Sequence, residues 1–203
     1  VEGVQGISWW RVTIGGKANH AGTTPTSMRH DAGLAAARVI TSMREYAKNS
    51  ATTLATTGEI DFEPGLINVI PSKAVFTVDL RDPDGEKLLR AEKALADCLE
   101  RVSEEEGVSV ASEHLASFAP VVFHPELIKK VEDAAAGRNI PSMRMVSGAG
   151  HDAQMMARVC KTAMIFVPSI GGISHNPEEH TEKEDLLLGA ELLLDVVLDL
   201  LKG

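Results

Sequence analysis

The chain has 203 residues, 44% of them apolar and 24% charged, with 20 Lys and Arg against 29 Asp and Glu for a net charge of -9. Those proportions belong to a globular protein long enough to bury most of its surface on folding, and they exclude a disordered one. The acidic balance argues against a nucleic-acid binder, whose affinity rests on Lys and Arg neutralising phosphates.

In chain order, residues 9–14 form a β-rich run closed by the turn signal Gly15-Gly16. Thr24-Pro25 leads into a helix expected over 27–48, with Ala32, Ala35, Ala36, Val39, Ile40, Met43 and Ala47 along one face at three-to-four spacing. A strand is expected over 53–61, ended by Pro64-Gly65. Residues 74–82 alternate: Ala74, Phe76, Val78 and Leu80 point one way, Val75, Thr77, Asp79 and Arg81 the other. Asp84 reads as the N-cap of a helix over 86–106 that stops at Gly107. A last strand follows over 108–115. Strand, helix, strand, strand, helix, strand is the ferredoxin-like split β-α-β order, which leaves one sheet face free for solvent or for another copy.

The rest reads as α/β. A helix is expected over 125–138, a short strand over 142–146, and a turn at Gly148-Ala149-Gly150 into a helix over 152–158. The apolar run 163–167 has the composition of a buried parallel strand. A loop from Gly171 to Glu184 precedes the final helix. There Glu191, Asp195 and Asp199 make a narrow acidic stripe, and apolar residues cover most of the remaining girth. Such a helix belongs inside a larger layer, and two short strands do not make a doubly covered sheet. The second half is therefore expected to be the tail of an α/β domain whose earlier strands are missing. The acids also exclude a membrane span over 186–201. Cys98 and Cys160 form no CxxC pair and are expected as buried free thiols of a cytoplasmic protein with no signal peptide.

Few residues announce chemistry. His30, His114 and His124 carry no motif, whereas His20, His151 and His175 sit in Gly-rich or loop settings. Residues 147–153, Ser-Gly-Ala-Gly-His-Asp-Ala, loosely match G-x-G-x-x-A. A dinucleotide site also needs an acidic residue ending the next strand, and here that strand ends Val167-Pro168-Ser169. Ser147, His151 and Asp152 lack the G-x-S-x-G setting of a hydrolase triad. What survives is a turn whose glycines let backbone amides approach a ligand. His175, followed by Asn176-Pro177-Glu178-Glu179, has no H-x-x-x-H or H-x-D partner nearby, so its spacing alone does not define a metal site.

Taken together and in this order, Asn19-His20-Ala21-Gly22-Thr23-Thr24-Pro25, Asn68, Asp79-Leu80-Arg81-Asp82, residues 147–153 and residues 173–179 resemble the amidohydrolase branch of the M20 metallopeptidases. Within it the chain is most similar to N-carbamoyl-L-amino acid hydrolases, with allantoate amidohydrolases as close relatives. The resemblance implies a lid or dimerisation domain at 6–117 and a C-terminal segment of the catalytic domain at 118–203. The N-terminal catalytic segment, with its H-x-D motif and Glu-Glu pair, is expected to be missing. It implies His175 as a metal ligand and His20 as a catalytic histidine that reaches the partner subunit's site and polarises the scissile carbonyl. Asn68, Arg81 and Gly150 are implied as substrate contacts, with Arg81 binding a carboxylate. The implied enzyme is a homodimer using two divalent ions (zinc, manganese or cobalt) on a small N-carbamoyl amino acid, with the fragment alone inactive. The alternatives are allantoate, an acylated amino acid or a dipeptide as substrate, or a stand-alone dimerisation or binding module. For Arg81 the competing expectation is a salt bridge with Asp79 or Asp82.

Overall fold

The computed structural model describes residues 1–202. The chain opens with a short strand, β1 (Gly3–Val4), and passes directly into a long one, β2 (Gly6–Gly15). These two strands serve different units: Val1–Val4 joins the residues from Val121 onward, and Gln5–Pro120 forms a unit of its own. The sequence offers no sign of that split assignment of the first residues.

In the unit Gln5–Pro120, β2 is followed by α1 (Ala32–Lys48), β3 (Leu54–Thr56), β4 (Ile60–Glu63), β5 (Lys73–Asp82), α2 (Gly85–Glu106) and β6 (Ser109–Phe118). The sheet runs β3-β5-β2-β6, with β4 also on β5 and all pairs antiparallel. Each β-α-β crossover is thus split by a strand inserted between its ends, in a mixed α/β arrangement. The alternation of β5 decides the layering. Ala74, Phe76, Val78 and Leu80 are buried with Val12 and Ile14 of β2 beneath the apolar stripes of α1 and α2. Arg81, Asp79, Thr77 and Val75 line the other face, opposite Ile7, Trp9, Arg11 and Thr13.

Two elements depart from expectation. The helix expected from 27 begins at Ala32, because Asp31 caps it by accepting from the N–H groups of Gly33 and Leu34 at 2.9 and 3.0 Å. Residues 26–28 instead form a separate 3-10 turn. The strand expected over 53–61 breaks in two. β3 pairs with residues 79–81 and β4 with 73–76 of the same edge, and between them the Thr77 N–H donates to the Glu59 carbonyl while the Glu59 N–H donates to the Thr77 hydroxyl rather than to the backbone. Gly107 ends α2 with φ of 60°, the left-handed cap expected of a glycine.

In the other unit, β1 lies between β7 (Val121–Val122), antiparallel, and β8 (Val146–Ser147), parallel. The helices are α3 (Pro125–Gly137), α4 (Asp152–Met156) and α5 (Lys183–Leu200). The strand expected over 142–146 is only the two residues of β8. The run 163–167 is not a strand, since no described strand offers it a ladder, and it is half-buried rather than buried. The buried cluster at its sheet is small, formed by Val4, Phe123 and Ile128. On α5 only Leu192 and Val196 are buried, while Leu186, Leu187, Leu193 and Leu194 are each at least half exposed. Its acidic stripe turns to α3: Arg138 pairs with Glu191 and Asp195, and Lys130 with Asp199. Cys98 is buried as expected, but Cys160 is exposed, because it sits in the turn after α4 rather than in a helix. Among the described residues no helix is long and apolar enough to cross a membrane.

Candidate functional site

His20 lies where the sheet ends. Past the last β2–β5 pair, Gly15 with Lys73, the two chains stay side by side: Gly16 N–H donates to Ser72 O at 2.8 Å, and Ile70 N–H to Asn19 O at 2.8 Å. His20 bridges Val69, and Ala21 N–H donates to the Asn68 carbonyl at 2.9 Å. The structure therefore brings His20 and Asn68 to one corner, both exposed. At that corner the chain turns tightly. Thr24 donates to the His20 carbonyl through its N–H at 3.2 Å and its hydroxyl at 2.7 Å. Gly22 and Thr23 N–H groups donate to His20 Nδ1 at 3.0 and 3.2 Å.

Arg81 is at the opposite end. It faces Ile7 of β2 and Leu54 of β3, eight residues along β5 from Lys73. At about 3.4 Å per residue, that separates it from the His20 corner by roughly 27 Å within one copy. Its Nε donates to both Asp79 oxygens at 2.9 and 3.0 Å, and Nη2 to Oδ2 at 2.6 Å. Of the two acids expected to compete for it, Asp79 is bonded to it. These bonds raise the Arg81 pKa above its ordinary value. Asp82 is buried beside α2 instead, accepting from Thr52, Thr53 and the Asp84 N–H.

In the other unit, Gly150 is exposed just before α4. The turn is held by Ser147, whose hydroxyl donates to Ala149 O at 2.9 Å and accepts from Ala149 N–H at 3.2 Å. His175 is exposed, has φ of 56°, and donates its N–H to Glu179 Oε2 at 3.0 Å. The left-handed backbone region is uncommon for a residue with a side chain. Among the described residues no three His, Cys, Asp or Glu side chains converge on a common point, so His175 alone does not make a metal centre.

One residue at the His20 corner escaped the sequence reading. Arg29 donates to Thr24 O at 3.0 Å through Nε and to Ala21 O at 2.6 Å through Nη2. Its only signal was a lone arginine beside His30 and Asp31, in a stretch read as helix.

Comparison with known proteins gives the class. The profile of peptidase family M20/M25/M40 matches residues 12–199, and the chain belongs to that family. It is 39% identical over 203 residues to an N-carbamoyl-L-amino acid amidohydrolase of Geobacillus stearothermophilus, covering 100% of this chain and 50% of that protein. An allantoate amidohydrolase of Escherichia coli is 35% identical over 194 residues, covering 95% of this chain and 47% of the relative. Among solved structures, an amidase of the hydantoinase/carbamoylase family from Burkholderia multivorans superposes with a TM-score of 0.93 at 38% identity, over 98% of this chain and 48% of that one. The chain thus spans about half the length of the relatives it matches.

Proposed function

We propose that this chain is the lid and C-terminal catalytic-domain portion of a longer, metal-dependent hydrolase. Its reaction cleaves the carbamoyl C–N bond of N-carbamoyl-L-amino acids, releasing the amino acid, carbon dioxide and ammonia. The observation that carries this is the likeness, along the whole of this chain, to half of a carbamoyl-amino-acid amidohydrolase at 39% identity. In this reading Gln5–Pro120 is the lid. His20 donates from Nε2 to the oxygen that gains charge as the ureido carbon becomes tetrahedral. Asn68 and Gly150 hold the substrate's polar groups, and Arg81 exchanges Asp79 for the substrate carboxylate in a bidentate pair. His175 is one ligand of a zinc, manganese or cobalt centre whose remaining ligands belong to the longer protein.

The spacing of these residues supports a dimer. His20 and Arg81 are at opposite ends of one sheet, so a compact substrate that meets both takes them from two copies. The unburied flanks of α5 support an additional layer over the second unit. A second reading, favoured by the likeness to the allantoate enzyme, keeps the ureido chemistry and changes the acid attached to it.

The test is ammonia release by the longer protein, loaded with zinc, manganese or cobalt, from a panel of N-carbamoyl-L-amino acids and from allantoate. Turnover of the carbamoyl amino acids with allantoate inert is the expected result. Allantoate turnover alone selects the second reading, and no turnover of either refutes both. The 203-residue chain assayed in parallel is expected to be inactive; an ordinary enzymatic rate from it contradicts the assignment as a portion.

A further inference from the structure

We propose that the turn from Asn19 to Thr24 is a tautomer lock for His20, and that Arg29 is the positioning residue that keeps the lock closed. A neutral imidazole carries one N–H and one bare nitrogen, and a solvated ring exchanges the two roles. Here two backbone N–H groups, of Gly22 and Thr23, both aim at Nδ1. Backbone amides only donate, so Nδ1 is the acceptor and the ring proton sits on Nε2. A proton on Nδ1 would break both bonds and face two hydrogens of like partial charge. The same bonds fix the ring's rotation. Among the described residues Nε2 has no hydrogen-bond partner, and the residue is exposed. The turn therefore presents a single N–H outward in a fixed direction.

The lock depends on the amides of Gly22 and Thr23 keeping their aim, and Arg29 secures both flanks. Its planar guanidinium holds the carbonyl before them (Ala21) and the carbonyl after them (Thr24) at once. Thr24 closes the loop onto the His20 carbonyl, and Asn19 Oδ1 accepts the His20 N–H at 2.9 Å. A lysine has the charge but not the two-pronged donor, so it cannot hold both carbonyls in that geometry. The inference rests on the proposed carbonyl-polarising role of His20 for its purpose: a bare nitrogen turned toward a developing oxyanion would repel it, and the lock removes that tautomer. The lock itself is a property of the turn.

The experiment uses the full 203-residue chain with ring-15N-labelled histidine and long-range proton–nitrogen correlation at a pH where the ring is neutral. His20→Gln assigns the signals. The expected result for the wild type is one tautomer, with the proton on Nε2 and Nδ1 as a bare, hydrogen-bonded nitrogen. Arg29→Gln and Thr24→Val, with β2 and β5 amide signals unchanged, are each expected to shift both ring nitrogens toward the averaged positions of histidine in a short peptide. A protonated Nδ1 in the wild type overturns the lock, and needs no variant to do so. Ring signals unmoved in folded Arg29→Gln overturn the role of Arg29. A locked ring in a protein whose longer form hydrolyses no ureido substrate upholds the lock and refutes the function on which its purpose rests.

Discussion

Deleting one hydroxyl should loosen the far end of β5. Asp82 is fully buried. Its carboxylate accepts from Thr53 Oγ1 at 2.6 Å, the Asp84 N–H at 2.8 Å and Thr52 Oγ1 at 3.0 Å. Thr53 is itself buried, whereas Thr52 is exposed. Thr53→Val keeps the side chain's shape and removes the shortest of these bonds, in a place where water does not replace it. A hydrogen bond to a charged group contributes about 1.5–3 kcal/mol, and two donors remain, so the expected loss lies near the lower end, about 1.5–2 kcal/mol. Ser50, which donates to Thr53 at 2.8 Å, is half-exposed and turns to water at little cost. At a urea slope of about 1–3 kcal/mol per molar, the midpoint falls by roughly 0.5–2 M. The chain's two tryptophans, Trp9 and Trp10, both lie on β2, so their fluorescence reads the unfolding of this unit. A loss below about 0.5 kcal/mol, the range of an ordinary surface change, would refute the reasoning.

Two further outcomes are expected. Phe76→Ala empties the centre of the sheet-to-helix core, where Phe76 is fully buried, and should cost about 3–5 kcal/mol in the same urea assay. In the other unit, acid should release α5 from α3. Hydrogen bonds from Arg138 and Lys130 hold Asp195 and Asp199 below their ordinary value of 3.8. Depressed carboxylates contribute fully above that value and lose their contribution as pH falls below it. Hydrogen exchange of α5 amides, corrected for intrinsic rates, should therefore accelerate below pH 3.8 in the wild type. In Arg138→Gln the acceleration should be weaker and the exchange already faster at neutral pH.

How much was legible varies with how locally each feature is determined. The alternation of 74–82 and the stripe of α1 are local patterns that face a core, and both were readable. So was Gly107, because only a glycine takes that left-handed cap cheaply. The start of α1 was not: Thr24-Pro25 was read as its opening, but Asp31 caps two amides and sets the start while residues 20–29 fold into a separate turn. The break between β3 and β4 arises from pairing along β5, which no single strand encodes. The run 163–167 failed as a strand because a ladder needs a neighbour, and composition alone does not supply one. At the candidate site, His20 and Asn68 were each singled out through motif resemblance, but their common corner depends on the extended β2–β5 register. Arg29 carried no motif at all, since what it does is hold main-chain carbonyls, and main-chain partners leave no mark on residue identity.

Subunit mixing tests the central claim most directly. In the longer protein, His20→Ala and Arg81→Ala are each expected to abolish most ureido hydrolysis. If one site takes its histidine from one copy and its arginine from the other, unfolding and co-refolding the two variants together places both lesions in one site of each mixed dimer and leaves the other site intact. With random pairing into two-fold dimers, roughly a quarter of wild-type activity should return. Activity in the mixture that stays at the level of the separate variants, with mixed dimers shown to have formed, would contradict the account.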